Sequence, residues 1–218
     1  AGYVTQELPD VVRTSDVAFR PIDVKLGPDG ALYFQEGVFH MSQVESVNGP
    51  VRSINACVWR FEPRTFNVER FIPYNFANPH GHVFDRWGQN FVTDGTGNTS
   101  YLAAAFSGHL PEGQKHGGYF AFYREPNRPC PGTEILSSRH FPEEYQGDYL
   151  VGNVIGFQGL LRRSFVDDGS GFDAEPKTAI ISSSDPSFRP SDLEMGPDGA
   201  IWVLEDGPTA RLLRQHAK

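Results

Sequence analysis

Two aspartates, Asp23 and Asp192, hold the same place in two copies of one motif, and an arginine, Arg20 or Arg189, stands just before each. Oxygen ligands brought to one rim by two repeats can line a cation or polar-ligand site, or each Asp can pair with its own Arg or cap its own turn. His80 and His82 stand two apart in Asn78-Pro79-His80-Gly81-His82, on one side of a strand. One imidazole there can serve as a general base near neutral pH, two can share a metal, or the pair can be structural. Asn153 sits in Gly152-Asn153-Val154-Ile155-Gly156, where glycines let backbone approach a ligand or simply form a bulge. Asp94 and Asn98, in Asp94-Gly95-Thr96-Gly97-Asn98, have the spacing of calcium ligands but lack the bidentate Glu of an EF-hand, and turn chemistry also explains them. The chain has no H-E-x-x-H, G-x-S-x-G, phosphate loop or dinucleotide fingerprint.

The elements that position these residues come from the repeat. Residues 19–34 read FRPIDVKLGPDGALYF and residues 188–203 read FRPSDLEMGPDGAIWV, an offset of 169 residues. Such a repeat governs the architecture. Val24 and Leu26 alternate with Asp23 and Lys25, and Leu193 and Met195 with Asp192 and Glu194, the period of a strand with one buried face. Gly27-Pro28-Asp29-Gly30 is a tight turn, in which Pro presets φ, Asp bonds its own backbone and Gly closes. The return Ala31-Leu32-Tyr33-Phe34 makes each copy a hairpin.

Cys57–Glu62 and Phe66–Phe71 form a second hairpin around Pro63-Arg64-Thr65, which completes a four-stranded unit. Residues 79–95 open a second unit, to which Tyr119–Arg124 adds a strand. A third unit centres on residues 147–153, with Leu160–Phe165 and an outer turn at residues 167–171. Residues 188–203 open a fourth, with Arg211–Gln215 as its third strand. Residues 36–56 and about 96–118 read as excursion loops. The turn glycines Gly30, Gly88, Gly147 and Gly199 are spaced 58, 59 and 52 apart, and no long amphipathic helix appears. The pattern predicts an all-β chain, a single β-propeller domain over residues 1–218 with about four four-stranded blades, or an open arc of a larger propeller. Tyr3–Leu8 would pair outside Arg211–Gln215 and close the last blade.

The chain of 218 residues carries 23 Gly, 17 Pro and 13% aromatics, which suits strands and turns. A net charge of −8 argues against a general nucleic-acid binder. No run of apolar residues reaches the length of a membrane span. The first residue is Ala, as in an exported protein whose signal has been removed, or in a piece of a longer chain. Cys57 and Cys130 are in no metal or haem motif, and read either as two buried thiols or as a pair in an oxidising compartment.

Four stretches carry a family resemblance: RPIDVKLGPDGALYF, NPHGHVFDRWGQNFVTDGTGN, CPGTEILSSRHFPEEYQGDYLVGNVIGFQG and SSDPSFRPSDLEMGPDGAIWVLEDG. Over roughly residues 19–206 the chain resembles the propeller domain of planctomycete-type membrane-bound dehydrogenases, themselves distantly similar to soluble quinoprotein (pyrroloquinoline quinone, PQQ) sugar dehydrogenases. The resemblance implies an exported, periplasmic oxidoreductase acting on a sugar or alcohol. His80 or His82 would be its base, PQQ and calcium its cofactors, and Arg20, Asp23, Asn153, Arg189 and Asp192 its cofactor-binding residues. The family's C-x-x-C-H haem domain is not in this chain, so a cytochrome partner is implied. A binding or scaffold propeller with a plugged channel is the alternative.

Overall fold

The computed structural model describes residues 13–14, 22–103, 110–206 and 211–215. Its architecture is all-β, four blades arranged as a propeller, with one short 3-10 turn at Glu143–Tyr145. Besides a two-residue strand β1 (Arg13–Thr14), the first blade is β2 (Ile22–Leu26), β3 (Leu32–Glu36), β6 (Cys57–Glu62) and β7 (Asn67–Ile72). Between β3 and β6 the chain makes β4 (Met41–Glu45) and β5 (Val51–Ile54), which join β1 in a small sheet of their own. The second blade is β8 (Pro79–Phe84), β9 (Asn90–Asp94), β10 (Thr99–Ala103) and β11 (Phe120–Arg124). The third is β12 (Thr133–Ile135), β13 (Tyr149–Asn153), β14 (Gln158–Asp168) and β15 (Gly171–Ser183). The fourth shows β16 (Pro190–Met195), β17 (Ile201–Glu205) and β18 (Arg211–Gln215). The expected closing strand Tyr3–Leu8 lies outside the described residues.

The core lies between blades, as it must when each sheet has two faces to cover. Tyr33, Val58 and Ile72 of the first blade pack with Val92 and Ala103 of the second. Phe91 and Phe122 meet Tyr149 and Val151 of the third. Leu150 and Leu160 meet Leu193, Ile201 and Val203 of the fourth. The other face of the first blade is covered by the inserted sheet, whose Val44 packs against Phe34, Trp59 and Phe61. Residues 36–56 are therefore not a loop. Asn48-Gly49 is the turn of a hairpin, and its inward positions are Ser42, Val44 and Ser53, so two buried serines hide the period. The stretch 96–118 likewise contains β10, whose buried Ser100 bonds the Thr93 and Tyr149 hydroxyls instead of presenting an apolar signal.

The repeated turn is a clamp. Asp29 accepts hydrogen bonds from Ala31 N, the Tyr33 hydroxyl and the Arg60 guanidinium of the third strand. Asp198, its equivalent, accepts from Ala200 N, Trp202 Nε1 and the Arg214 guanidinium. The ring of Tyr33 or Trp202 lies so close to the turn that a Cβ at Gly27 or Gly196 would sit 2.3 Å from it. Only glycine leaves that room.

One expectation about β2 is reversed. Val24 and Leu26 are 56% and 72% exposed, while Lys25 is buried and the Asp23 side chain is 1% exposed. In the second copy Leu193 is buried as expected. A register shift between Ile22 and Lys25, with Asp23 at φ 48°, turns the apolar side chains of β2 into a cavity at the axis.

Candidate functional site

The inner strands β2, β8, β12 and β16 bring their leading ends together. One oxygen each from Asp23, Asp192 and Glu194 lies within 4.8 Å of the others, the only such group of three among the described residues. Asp23 Oδ2 accepts from His82 N at 3.0 Å and Gln35 Nε2 at 2.5 Å, while buried Asp23 Oδ1 has no hydrogen-bond partner. Lys25 is the cation of this cluster. Its Nζ donates to Glu194 and lies 3.9 Å from Asp23 Oδ1 and 3.5 Å from Leu193 O. Glu134 of β12 joins from the side, its carboxylate held by Ile135 N at 2.9 Å and Met195 N at 3.2 Å.

Burial dominates the electrostatics. It raises Asp23 to about 6, with Asp192 and Glu194 adding to the rise and Lys25 opposing it. It raises Glu134 to about 7, again against Lys25. Burial pulls Lys25 down, but Asp23, Glu134 and Glu194 together carry it above the ordinary lysine value. Lys25, Glu134 and Glu194 line a cavity of about 340 Å³ with Val24, Leu26 and Val83.

The two histidines separate. His82 is fully buried, its ring among Tyr33, Phe71 and Phe84, with Nε2 3.4 Å from Asn90 Oδ1. Burial depresses it to about 3, so it is a neutral core residue and cannot reach a substrate as a base. What it gives the site is its backbone N–H, on Asp23. His80 is half-buried, and its Nδ1 accepts from Gly132 N at 3.1 Å. A ring nitrogen that accepts carries no proton, so the neutral ring keeps its hydrogen on Nε2. Burial lowers His80, against the pull of Asp192. His80 is therefore a hydrogen-bond donor beside the cluster, not the general base that its spacing suggested. Gly132 brings the two together: a Cβ on it would lie 2.8 Å from Asp192 Oδ1.

The remaining candidates fall elsewhere. Both oxygens of Asp94 are taken by backbone, from Ala77 N at 2.6 Å, Asn78 N at 2.9 Å and Gly97 N at 2.9 Å. That is a turn lock for Asp94, while Asn98 stands at φ 57° with its Oδ1 buried and without a hydrogen-bond partner. Asn153 is fully buried and donates to Asn127 O at 3.0 Å, so its partner lies in the turn at residues 126–131 and not in the carboxylate cluster. Arg189 is exposed. Arg20 lies outside the described residues.

Hard oxygen donors at this separation, one of them an orphaned buried oxygen, fit a divalent cation such as calcium. Without such a cation, PQQ's three carboxylates would meet Asp23, Asp192, Glu194 and Glu134 as like charges, with Lys25 as the one opposing group among them. Sequence reasoning missed Lys25, Glu194 and Glu134. The first two were visible as opposite charges at one repeat position. Glu134 lies on a strand of only three residues, too short to show a period.

Residues 128–205 match a family described as a domain of unknown function (DUF7133). No curated protein matches. Among solved structures, the chain is similar to one described as an oxidoreductase (glucose dehydrogenase) from Thermus thermophilus. The TM-score is 0.60 and the identity 18%, covering 88% of this chain and 63% of that one. It is also similar to a glucose dehydrogenase (TM-score 0.55, 13% identity, 92% and 83% covered) and to the soluble aldose sugar dehydrogenase of Escherichia coli (0.52, 14%, 89% and 81%). The chain thus spans less than two thirds of the first of these. At such identities the likeness establishes the fold, a propeller of the kind used by sugar dehydrogenases.

Proposed function

We propose that this chain is the propeller of an exported oxidoreductase that acts on a sugar or other alcohol at the leading end of its inner strands. The observation that carries the reading is the convergence of Asp23, Asp192 and Glu194 at the axis, with the donor His80 beside Asp192. Asp192, half-buried, meets the incoming hydroxyl. Asp23, poised near neutrality, holds the proton of the carboxylate pair. His80 Nε2–H orients the same substrate. Calcium, when bound by the three carboxylates, would polarise a substrate hydroxyl. No step is assigned to PQQ. The alcohol's C–H leaves as hydride to a two-electron acceptor of the quinone class, while its hydroxyl proton goes to the carboxylate pair.

The test is sugar-dependent reduction of a phenazine or quinone dye by calcium-loaded protein, compared with Asp192→Asn. Turnover lost in the variant supports the proposal. A folded protein with neither turnover nor saturable sugar binding overturns it. One observation favours a second reading, a binding propeller: Lys25 already supplies a cation to Glu194. Saturable sugar binding without turnover would select it.

A further inference from the structure

A cavity larger than the one beside the carboxylate cluster, and sharing Glu134 with that cluster, lies next to the Asp85-Arg86-Trp87-Gly88 turn between the second and third blades. Its volume is about 910 Å³, within the range of small-molecule sites. The floor is aromatic. Phe165 lies 4.8 Å from Phe91 and 5.3 Å from Phe172, ring centre to ring centre, and both Phe165 and Phe172 are partly exposed. Trp87, 73% exposed, stands on the wall with the Arg86 guanidinium 4.6 Å from its ring centre, so this ring already accepts a cation on one face. Around the rings are four carboxylates, Asp85, Glu134, Glu143 and Asp167, against Arg86 as the single lining cation among the described residues.

The lining selects a chemistry. The carboxylates form no cluster of the kind that surrounds Asp23, so a bare metal ion has no set of ligands here. An anion meets Asp85, Glu143 and Asp167 as like charges, with Glu134 already facing Lys25. A neutral apolar molecule would use the rings and leave the charge unanswered. A positive group on an apolar body uses both, by facing ring quadrupoles and carboxylates together. Glu134 is pre-oriented for this, since Ile135 N and Met195 N fix its carboxylate. We propose that this cavity binds an organic cation, a quaternary or protonated amine with an apolar body, at a site that shares only Glu134 with the carboxylate cluster.

The probes are choline and its neutral carbon isostere dimethylbutanol, added to the intact chain. Binding is read by calorimetry and by tryptophan emission in the Trp202→Phe background, where exposed Trp87 responds and Trp59 is fully buried. Choline is expected to bind saturably and about tenfold or more tighter than dimethylbutanol. Asp167→Asn and Glu143→Gln, both exposed and so harmless to folding, should each weaken choline by about threefold to tenfold. Asp192→Asn should leave it unchanged. Equal binding of the two probes, or no saturable binding, overturns the proposal. So does loss of choline binding in Asp192→Asn with retention in Asp167→Asn and Glu143→Gln, because the cation would then sit at the carboxylate cluster.

Discussion

Lys25 donates a hydrogen bond to Glu194, and the two residues are 169 positions apart, the offset of the repeat itself. Asp23 and Asp192 have the same offset and also meet. Equivalent positions of the two motifs therefore face each other at the axis. At one position both copies kept an acid, which suits a shared proton or cation. At the other the copies carry opposite charges, and the pair ties the first blade to the fourth.

Removing the ammonium should be costly in a pH-dependent way. Lys25→Met leaves buried Asp23 and Glu134 without their cation. Loss of one partner from a buried pair costs about 3–5 kcal/mol. Glu194 is 47% exposed on its side chain, which argues for about 1–3 kcal/mol here after solvent screening. The loss should be largest at about pH 8 and smaller at about pH 5, where Asp23 and Glu134 are protonated. Urea unfolding at both pH values measures it. Equal losses would show that Lys25 acts through packing alone.

The buried titrating groups oppose one another. Asp23 and Glu134 have folded values of about 6 and about 7, above their ordinary 3.8 and 4.5. Between the unfolded and folded values the folded chain binds more protons. Their contribution to stability is thus full below the unfolded values and declines as pH rises through about 6 and about 7. His82 runs the other way. Its value falls from 6.5 to about 3, so its contribution is full above 6.5 and is lost as pH falls toward 3. Asp23→Asn should remove the fall in stability between pH 3.8 and about 6, Glu134→Gln the fall between pH 4.5 and about 7, and His82→Phe the opposing rise between about pH 3 and 6.5. Thermal unfolding across pH tests this, and an unchanged slope in all three variants would overturn it.

His80 should show a fixed tautomer. With Gly132 N–H on Nδ1, the proton of the neutral ring belongs on Nε2, and burial shifts the ring toward that neutral form against the pull of Asp192. Nitrogen NMR of the imidazole should find Nδ1 bare and Nε2 protonated at about pH 6.5. The reverse tautomer, or a charged ring there, would return His80 to the role of base. His80→Asn offers an acceptor to Gly132 but no Nε2–H. It should therefore keep the fold and lose substrate affinity, if substrate binds at this end.

Much of this was legible in the chain because the repeat is strict. The turns, the first blade and the meeting of Asp23 with Asp192 all follow from FRPxD and GPDG at a constant offset. What was illegible had a common cause: polar residues in buried strand positions. Ser42, Ser53 and Ser100 broke the alternation that would have marked β4, β5 and β10. The reversal at Val24 came from a bulge, and one residue of register exchanges the faces of a strand. The roles of the histidines turned on their surroundings, the Gly132 N–H on His80 and an aromatic cage around His82, which spacing does not encode.

The repeated turn makes a last prediction about why its first glycine is there. At Gly27 no positive φ is required, so a backbone argument alone would allow alanine. The constraint is space: the added Cβ would lie 2.3 Å from Tyr33 Cε2. Tyr33 cannot easily yield, because its hydroxyl bonds Asp29 and receives Arg60 Nε, and its ring packs on Phe71, His82 and Phe84. Gly27→Ala should therefore cost about 1–3 kcal/mol, the usual range for overpacking. Combined with Tyr33→Leu, which removes the closest contact, the alanine should cost clearly less, the remainder coming from the 2.8 Å approach to Asp29 Oδ1. A double-mutant cycle by urea unfolding separates this from a general intolerance of alanine in the turn. Additive losses would mean that the ring is not what excludes the side chain. Gly196 against Trp202 repeats the geometry and should repeat the result.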